Sequence, residues 1–166
     1  MPTLLTKQQI QQRITELAAQ VSATPEFQDN LLVITVLNGA MFFSCDLLKQ
    51  LTIENVHWDT IRVGSYNGTK RGELKFHELS SISLKDKRIL VVEDIIDSGN
   101  TIKGICDRLY RDGPLSISIC SLLVREGIPA KISSGYYGFE IPPDIFVEGY
   151  GLDNDQKGRI ARDISY

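Results

Sequence analysis

Cysteine, histidine, methionine and tryptophan are all scarce in this 166-residue chain, at three, two, two and one, and each scarcity closes off a class of protein. Cys45, Cys106 and Cys120 have no paired spacing and lie beside apolar neighbours. That argues against a disulfide scaffold or a cysteine-based zinc site and for small buried thiols in a reducing compartment. His57 and His77 have no metal-ligand spacing. No apolar run approaches the length of a membrane span, and no basic stretch leads into an apolar one at the start, so the expected location is the cytoplasm. Charge of one sign is lacking too: 18 Lys and Arg against 21 Asp and Glu leave a formal charge of −3, which makes nucleic acid an unexpected partner. HExxH, CxxC and Gly-x-Ser-x-Gly units are absent, and Lys49 is not embedded in a P-loop. Zinc peptidase, disulfide oxidoreductase, serine hydrolase and P-loop kinase therefore lack their required chemistry.

What is present is an ordinary globular composition, 42% hydrophobic and 23% charged, and the expectation is one domain over residues 1–166. Apolar residues at Ile10, Ile14, Leu17, Ala18 and Val21 predict a helix from Thr6, an available cap, to Val21. Leu31–Leu37, LLVITVL, is a continuous branched run that predicts a strand covered on both faces. Ala40–Leu51 reads as a helix with Met41, Phe42, Cys45, Leu48 and Leu51 toward the sheet. Further strands are expected over Ile53–Gly64, Leu74–Ile82, Arg88–Glu93, Ser116–Val124 and Ile145–Tyr150, with a helix at Thr101–Arg111 and loop-like chain at Gly127–Gly138. Strand, turn, helix and strand within about thirty-five residues is the α/β crossover unit. The expected fold is α/β: a central, mostly parallel sheet flanked by helices.

The stretch Ile89–Thr101, ILVVEDIIDSGNT, carries the most chemistry. Alone, Asp97-Ser98-Gly99 describes a capped turn. Here it follows a buried strand ending in Glu93 and Asp94 and runs into a helix, and that strand edge is the default ligand crevice of an open α/β sheet. Consecutive amides from Ser98 to Thr101, with two hydroxyls, suit a phosphate at a helix N-terminus. Glu93 and Asp94 suit either the vicinal hydroxyls of a sugar or a magnesium ion and its waters.

This stretch closely resembles the ribose-5-phosphate motif of the purine phosphoribosyltransferases, and within that family it is similar to the hypoxanthine-guanine enzymes. Leu37-Asn38-Gly39 stands in the place of the family's pyrophosphate loop, Ser65-Tyr66 opens its flexible lid, and GFEIP followed by IFVEGYGLD matches its purine-pocket segment. The four motifs occur in the family's order over roughly residues 31–159. The resemblance implies a small hood over the C-terminal strand edge, built from segments near the N-terminus and around 127–166. It also implies that Glu93 and Asp94 approach the ribose hydroxyls of phosphoribosyl pyrophosphate, and that Asp97, Ser98, Gly99, Asn100 and Thr101 hold its 5-phosphate. Asn38, Gly39 and Arg159 would face the pyrophosphate.

For the base, the resemblance implies Phe146 as a stacking surface, Val147 offering backbone groups to the purine edge, Arg125 as a donor to the 6-oxo group, and Asp153 beside the pocket. Without the phosphate motif, Gly135–Asp153 reads as an aromatic segment sealing the core. Asp97 is the candidate acid/base toward N7 of the purine. Magnesium is the implied cofactor, served by Glu93, Asp94 and Asp153. Ser65 and Tyr66 would shield the reacting carbon from water, with Lys70 and Arg71 adding positive potential.

Two positions depart from the family: Asn38 and Arg125 stand where Lys is usual. The implied activity is purine salvage, converting hypoxanthine or guanine and phosphoribosyl pyrophosphate to IMP or GMP and pyrophosphate. A homodimer or homotetramer is implied as the assembly. The alternative is a regulator of the same fold that binds RNA or a nucleotide with little catalysis.

Overall fold

The computed structural model describes residues 1–65, 74–78, 81–128 and 135–166. In chain order the elements are β1 (Thr3–Leu5), α1 (Lys7–Ser22), β2 (Leu31–Leu37), α2 (Met41–Leu48), β3 (His57–Ser65), β4 (Leu74–Glu78), β5 (Arg88–Ile96), α3 (Asn100–Tyr110), β6 (Ser116–Arg125), β7 (Tyr136–Ile141) and β8 (Ile164–Ser165). A 3-10 turn, Pro25–Gln28, joins α1 to β2. Six strands form one sheet in the order β4-β3-β2-β5-β6-β7. All pairings in it are parallel except β3 with β4. This is the expected mostly parallel sheet flanked by helices.

Both faces of the sheet are covered, which explains the unbroken apolar run of β2. Leu31 and Val33 join a core under α1 and α2. Leu32, Ile34 and Val36, alternating with them, join a second core under α3 with Ile102, Ile105 and Leu109. The α1 stripe is buried as its spacing predicts. Its start is a capping box, in which the Gln9 amide donates to Thr6 Oγ1 at 3.3 Å and the Thr6 amide to Gln9 Oε1 at 2.9 Å. Arg13 fastens α1 to β7, donating to the carbonyls of Gly138 and Tyr137 at 2.8 and 2.9 Å.

Several elements differ from the sequence reading, each for a local reason. Helix α2 ends at Leu48 and buries Ala40, Phe43, Ser44 and Leu47, while Met41 is exposed and Phe42, Cys45, Leu48 and Leu51 are half-buried. A polar residue lies on the buried face because the Ser44 and Thr35 hydroxyls pair at 2.5 Å, and the Trp58 indole donates to the same Thr35 oxygen at 2.9 Å. Strand β3 begins at His57 rather than Ile53; β4 is Leu74–Glu78, and residues 79–80 of the strand expected over Leu74–Ile82 lie outside the described residues.

Strand β5 runs past Glu93 to Ile96, because its pairing continues through Ile95 with Leu123 and Ile96 with Val124. The end of the loop-like stretch, from Tyr136, belongs to strand β7, Tyr136–Ile141. Gly138 there marks close approach, since a β-carbon on it would lie 2.4 Å from the Leu122 carbonyl oxygen. Ile145–Tyr150 is irregular instead of extended: Gly149, Tyr150 and Gly151 all have positive φ, at 104°, 49° and 104°, which breaks a strand.

Beyond β7 the chain forms the hood. Arg125 at the end of β6 bonds the Pro142 and Ile145 carbonyls, and Gly151 packs on Gly39 after β2, so residues 142–163 return to the C-terminal end of the sheet before β8 pairs antiparallel with β1. The cysteines are free thiols; Cys120 is buried, and burial followed by the charge of Asp107 pushes the Cys106 thiol up to about 11.

The burial pattern of α2 sets a test. Phe43→Ala should cost about 3–5 kcal/mol of unfolding free energy in equilibrium urea denaturation. Met41→Ala should stay within about 0.5 kcal/mol of the parent. Equal losses would place the wrong face of α2 against the sheet.

Candidate active site

The sheet is parallel where it matters, so the C-terminal ends of β2, β5 and β6 open on one edge, and the expected site residues lie there. Asp97, Ser98 and Gly99 follow β5 directly. Gly99 adopts φ 77° as the residue before α3, and the Asn100 amide donates to Ser98 Oγ at 3.4 Å. Asp97, Ser98, Asn100 and Thr101 are exposed while Gly99 is buried. Together with Glu93, Ile95, Ile96 and Ile102, residues Asp97–Gly99 and Thr101 line a pocket of about 110 Å³. The first turn of α3 carries no acidic residue, so its positive dipole end favours an anion.

Glu93 is buried, and that burial, followed by the neighbouring Asp94 charge, holds its carboxyl well above the usual carboxylate range. Both acids reach back to the backbone. The Asp94 amide donates to Glu93 Oε1 at 3.0 Å and the Ile95 amide to Asp94 Oδ1 at 2.8 Å.

Gly39, after the cis Leu37–Asn38 peptide, packs so closely on β5 that a β-carbon would fall 1.7 Å from Asp94 Oδ2. From the other side Gly151 closes on it, where a β-carbon would fall 2.1 Å from the Gly39 carbonyl oxygen. Gly39 thus touches both the Asp94 carboxylate and the hood. Asn38 is exposed.

The hood hairpin is fastened by Arg159, which donates to the Gly151 carbonyl at 2.7 Å and pairs with Asp153 Oδ1 at 2.7 Å. Asp153 Oδ2 accepts from the Gln156 amide at 2.9 Å. Sequence reasoning missed a second fastening. The Tyr150 hydroxyl donates to Asp46 Oδ2 at 2.5 Å, and the Gln11 side chain reaches the same oxygen at 2.9 Å. Burial, then the Asp46 contact, raises the Tyr150 phenol. The glycines on either side of Tyr150 were the available signal, since they mark a turn that must come close to something.

Arg125, the last residue of β6, pairs with Asp97: its Nε donates to Oδ1 at 2.5 Å. Its Nη1 donates to the carbonyls of Pro142 and Ile145 at 2.9 and 2.6 Å. Phe146 beyond them is 56% exposed and Val147 is buried, so one flat ring faces outward beside an anchored backbone. Ser65 ends β3, its backbone paired with Leu74. Tyr66, Lys70 and Arg71 lie outside the described residues.

The structure does not gather Glu93, Asp94 and Asp153 into one cluster; among the described residues no three acidic, histidine or cysteine side chains form a metal cage. Glu93 is buried, and Asp153 is engaged by Arg159 and Gln156. This donor set fits a magnesium ion that brings most of its oxygens with a phosphate ligand and needs one or two carboxylates.

The Gly39 contact is testable by a double-mutant cycle. Gly39→Ala should destabilise the wild type but much less so an Asp94→Ala background, giving a coupling of about 0.5–3 kcal/mol in chemical denaturation. Strict additivity would separate the two residues.

The comparisons with known proteins converge on this geometry. Residues 2–155 match the phosphoribosyl transferase domain family. The chain is 36% identical to a hypoxanthine-guanine phosphoribosyltransferase of Mycobacterium tuberculosis, over 98% of this chain and 82% of the relative. It is 37% identical to the Bacillus subtilis enzyme of that name, over 94% and 87%. Among solved structures, a hypoxanthine-guanine phosphoribosyltransferase from Bacillus anthracis superposes with a TM-score of 0.87 at 33% identity, covering 99% of this chain and 95% of that one. A Trypanosoma cruzi hypoxanthine phosphoribosyl transferase gives 0.90 at 30%, covering 99% and 89%. With the sheet edge, the Asp97–Thr101 turn and the hood already in place, these matches show that the chain belongs to the hypoxanthine-guanine phosphoribosyltransferase family of type I fold.

Proposed function

We propose that the chain transfers the phosphoribosyl group of phosphoribosyl pyrophosphate to N9 of hypoxanthine or guanine, forming IMP or GMP and pyrophosphate in purine salvage. The observation that carries this reading is the convergence, on one sheet edge, of an anion-ready turn at Asp97–Thr101, the Glu93–Asp94 pair and the Arg125–Asp97 contact.

In this reading the amides and hydroxyls of Ser98–Thr101 bind the 5-phosphate, and Glu93 and Asp94 meet the ribose hydroxyls. Phe146 covers one face of the purine and the Val147 backbone meets its edge. The N9–C1 bond forms as the bond from C1 to the diphosphate oxygen breaks, its electron pair leaving with the diphosphate. Asp97 takes the proton from N7, so that electron density reaches N9 as it attacks. Asn38, Gly39 and Arg159 face the departing diphosphate. Glu93, Asp94 and Asp153 are the residues that would serve a magnesium ion, which when bound would neutralise the charge of the diphosphate. Ser65 and Tyr66 shield the reacting carbon from water.

Arg125 is a donor only, so it favours a 6-oxo acceptor over the amino group of adenine. The working assembly is proposed to be a homodimer or homotetramer, and the working location the cytoplasm. Among the described residues no helix is long and apolar enough to cross a membrane.

The test is direct detection of nucleotide and pyrophosphate from each purine with phosphoribosyl pyrophosphate. Hypoxanthine and guanine should be consumed ahead of adenine. Chelation of divalent metal should abolish product and magnesium restore it. Asp97→Asn should keep the fold by circular dichroism and lower single-turnover rate about 10²–10⁴-fold. Adenine used as efficiently as the oxopurines, or near-native turnover in the Asp97 variant, would refute the respective assignment.

A further inference from the structure

The registers of β5, β6 and β7 bring together three groups that the sequence keeps apart. Ile96 pairs with Val124, so Asp97, one residue further, comes level with Arg125. Arg125 itself pairs with Ile141 on its other side, so Pro142 emerges beside it. The guanidinium therefore lies between the candidate acid/base and the start of the segment carrying Phe146 and Val147.

Its donors serve both sides. Nε is 2.5 Å from Asp97 Oδ1, and Nη1 is 2.9 Å from the Pro142 carbonyl and 2.6 Å from that of Ile145. The Arg125 side chain is only 13% exposed while that of Asp97 is 70% exposed. A fixed group is thus holding one that would otherwise swing in solvent.

Resting on the transfer reading above, we propose that Arg125 is a positioning residue: it sets the reach of Asp97 and the height of the Phe146–Val147 segment from one rigid guanidinium, so that acid/base and base floor keep a fixed separation. The planar fork makes this possible. Its Nε and Nη1 donors point in fixed, divergent directions and are held by conjugation, whereas an ammonium is a point charge on a flexible stem. A lysine at position 125 keeps the charge and a donor for a purine oxygen, but it cannot hold Asp97 and two carbonyls of the opposite segment in one plane. Arg125 then acts on catalysis through Asp97, in addition to any contact with the base.

That separation of roles is measurable. In Arg125→Lys, kcat with hypoxanthine should fall about tenfold, KM for phosphoribosyl pyrophosphate should stay within about twofold, and the preference for oxopurines over adenine should persist. In an Asp97→Asn background the same Arg125→Lys change should lower kcat by less than about twofold, because residues acting as a unit are not additive. Arg125→Gln, which retains a planar donor but no charge, should show the same dependence on Asp97, with folding of every variant checked by circular dichroism.

Full additivity of the two substitutions, or unchanged kcat in Arg125→Lys, would overturn the positioning role while leaving the transfer reading intact. A wild-type protein that forms no nucleotide from either oxopurine would overturn the reading and the positioning role together.

Discussion

Everything at the carboxyl edge of the sheet depends on how closely Gly39 is sandwiched between Asp94 and Gly151. Neither glycine has room for a β-carbon: one on Gly39 would enter the Asp94 carboxylate and one on Gly151 would enter the Gly39 carbonyl. The contact joins the turn after β2, the acidic end of β5 and the hood in a single stack. Arg159 and the Tyr150–Asp46 pair hold the hood side of that stack. A long ligand laid across the edge therefore meets groups from three segments whose spacing is fixed by backbone contact.

Electrostatics on the edge divide along the same line. On the α3 side is a helix start with no acid in its first turn, which favours anionic oxygen. On the β5 side are two adjacent carboxyls, one of them held by burial well above the usual carboxylate range. A sugar phosphate needs both environments, an anion cradle for its phosphate and acceptors for its hydroxyls. The Arg125–Asp97 pair stands between this edge and the segment bearing Phe146 and Val147, so a base and a sugar phosphate can be held in adjoining places.

Much of this was legible in the residues. Helix α1 showed through its apolar stripe and cap, β2 through an unbroken run that requires cover on both faces, and the Asp97–Thr101 turn through acids and glycine placed between strand and helix. What stayed hidden was set by tertiary contact. The set expected to face the sheet from α2 leaves out Phe43, Ser44 and Leu47, which are buried, Ser44 through its hydroxyl pair with Thr35, while Phe42, Leu48 and Leu51 pack at the margin of the core. Gly135 and Gly138 looked like loop residues although they let β7 lie against β6. The Arg125 bonds to Asp97, Pro142 and Ile145 depend on strand register, which no local spacing reveals. The matched family carried the site residues that lie far apart in sequence, and the geometry showed which of them touch.

The account makes the carboxyl edge one continuous phosphosugar site, and amide hydrogen exchange measures that without relying on catalysis. Exchange should be recorded with and without phosphoribosyl pyrophosphate and magnesium, in the absence of any purine. Slowed exchange at the amides of residues 98–101 together with those of Gly39 and Gly151 is the predicted result. Protection confined elsewhere on the surface, with those amides unchanged at saturating ligand, would contradict it.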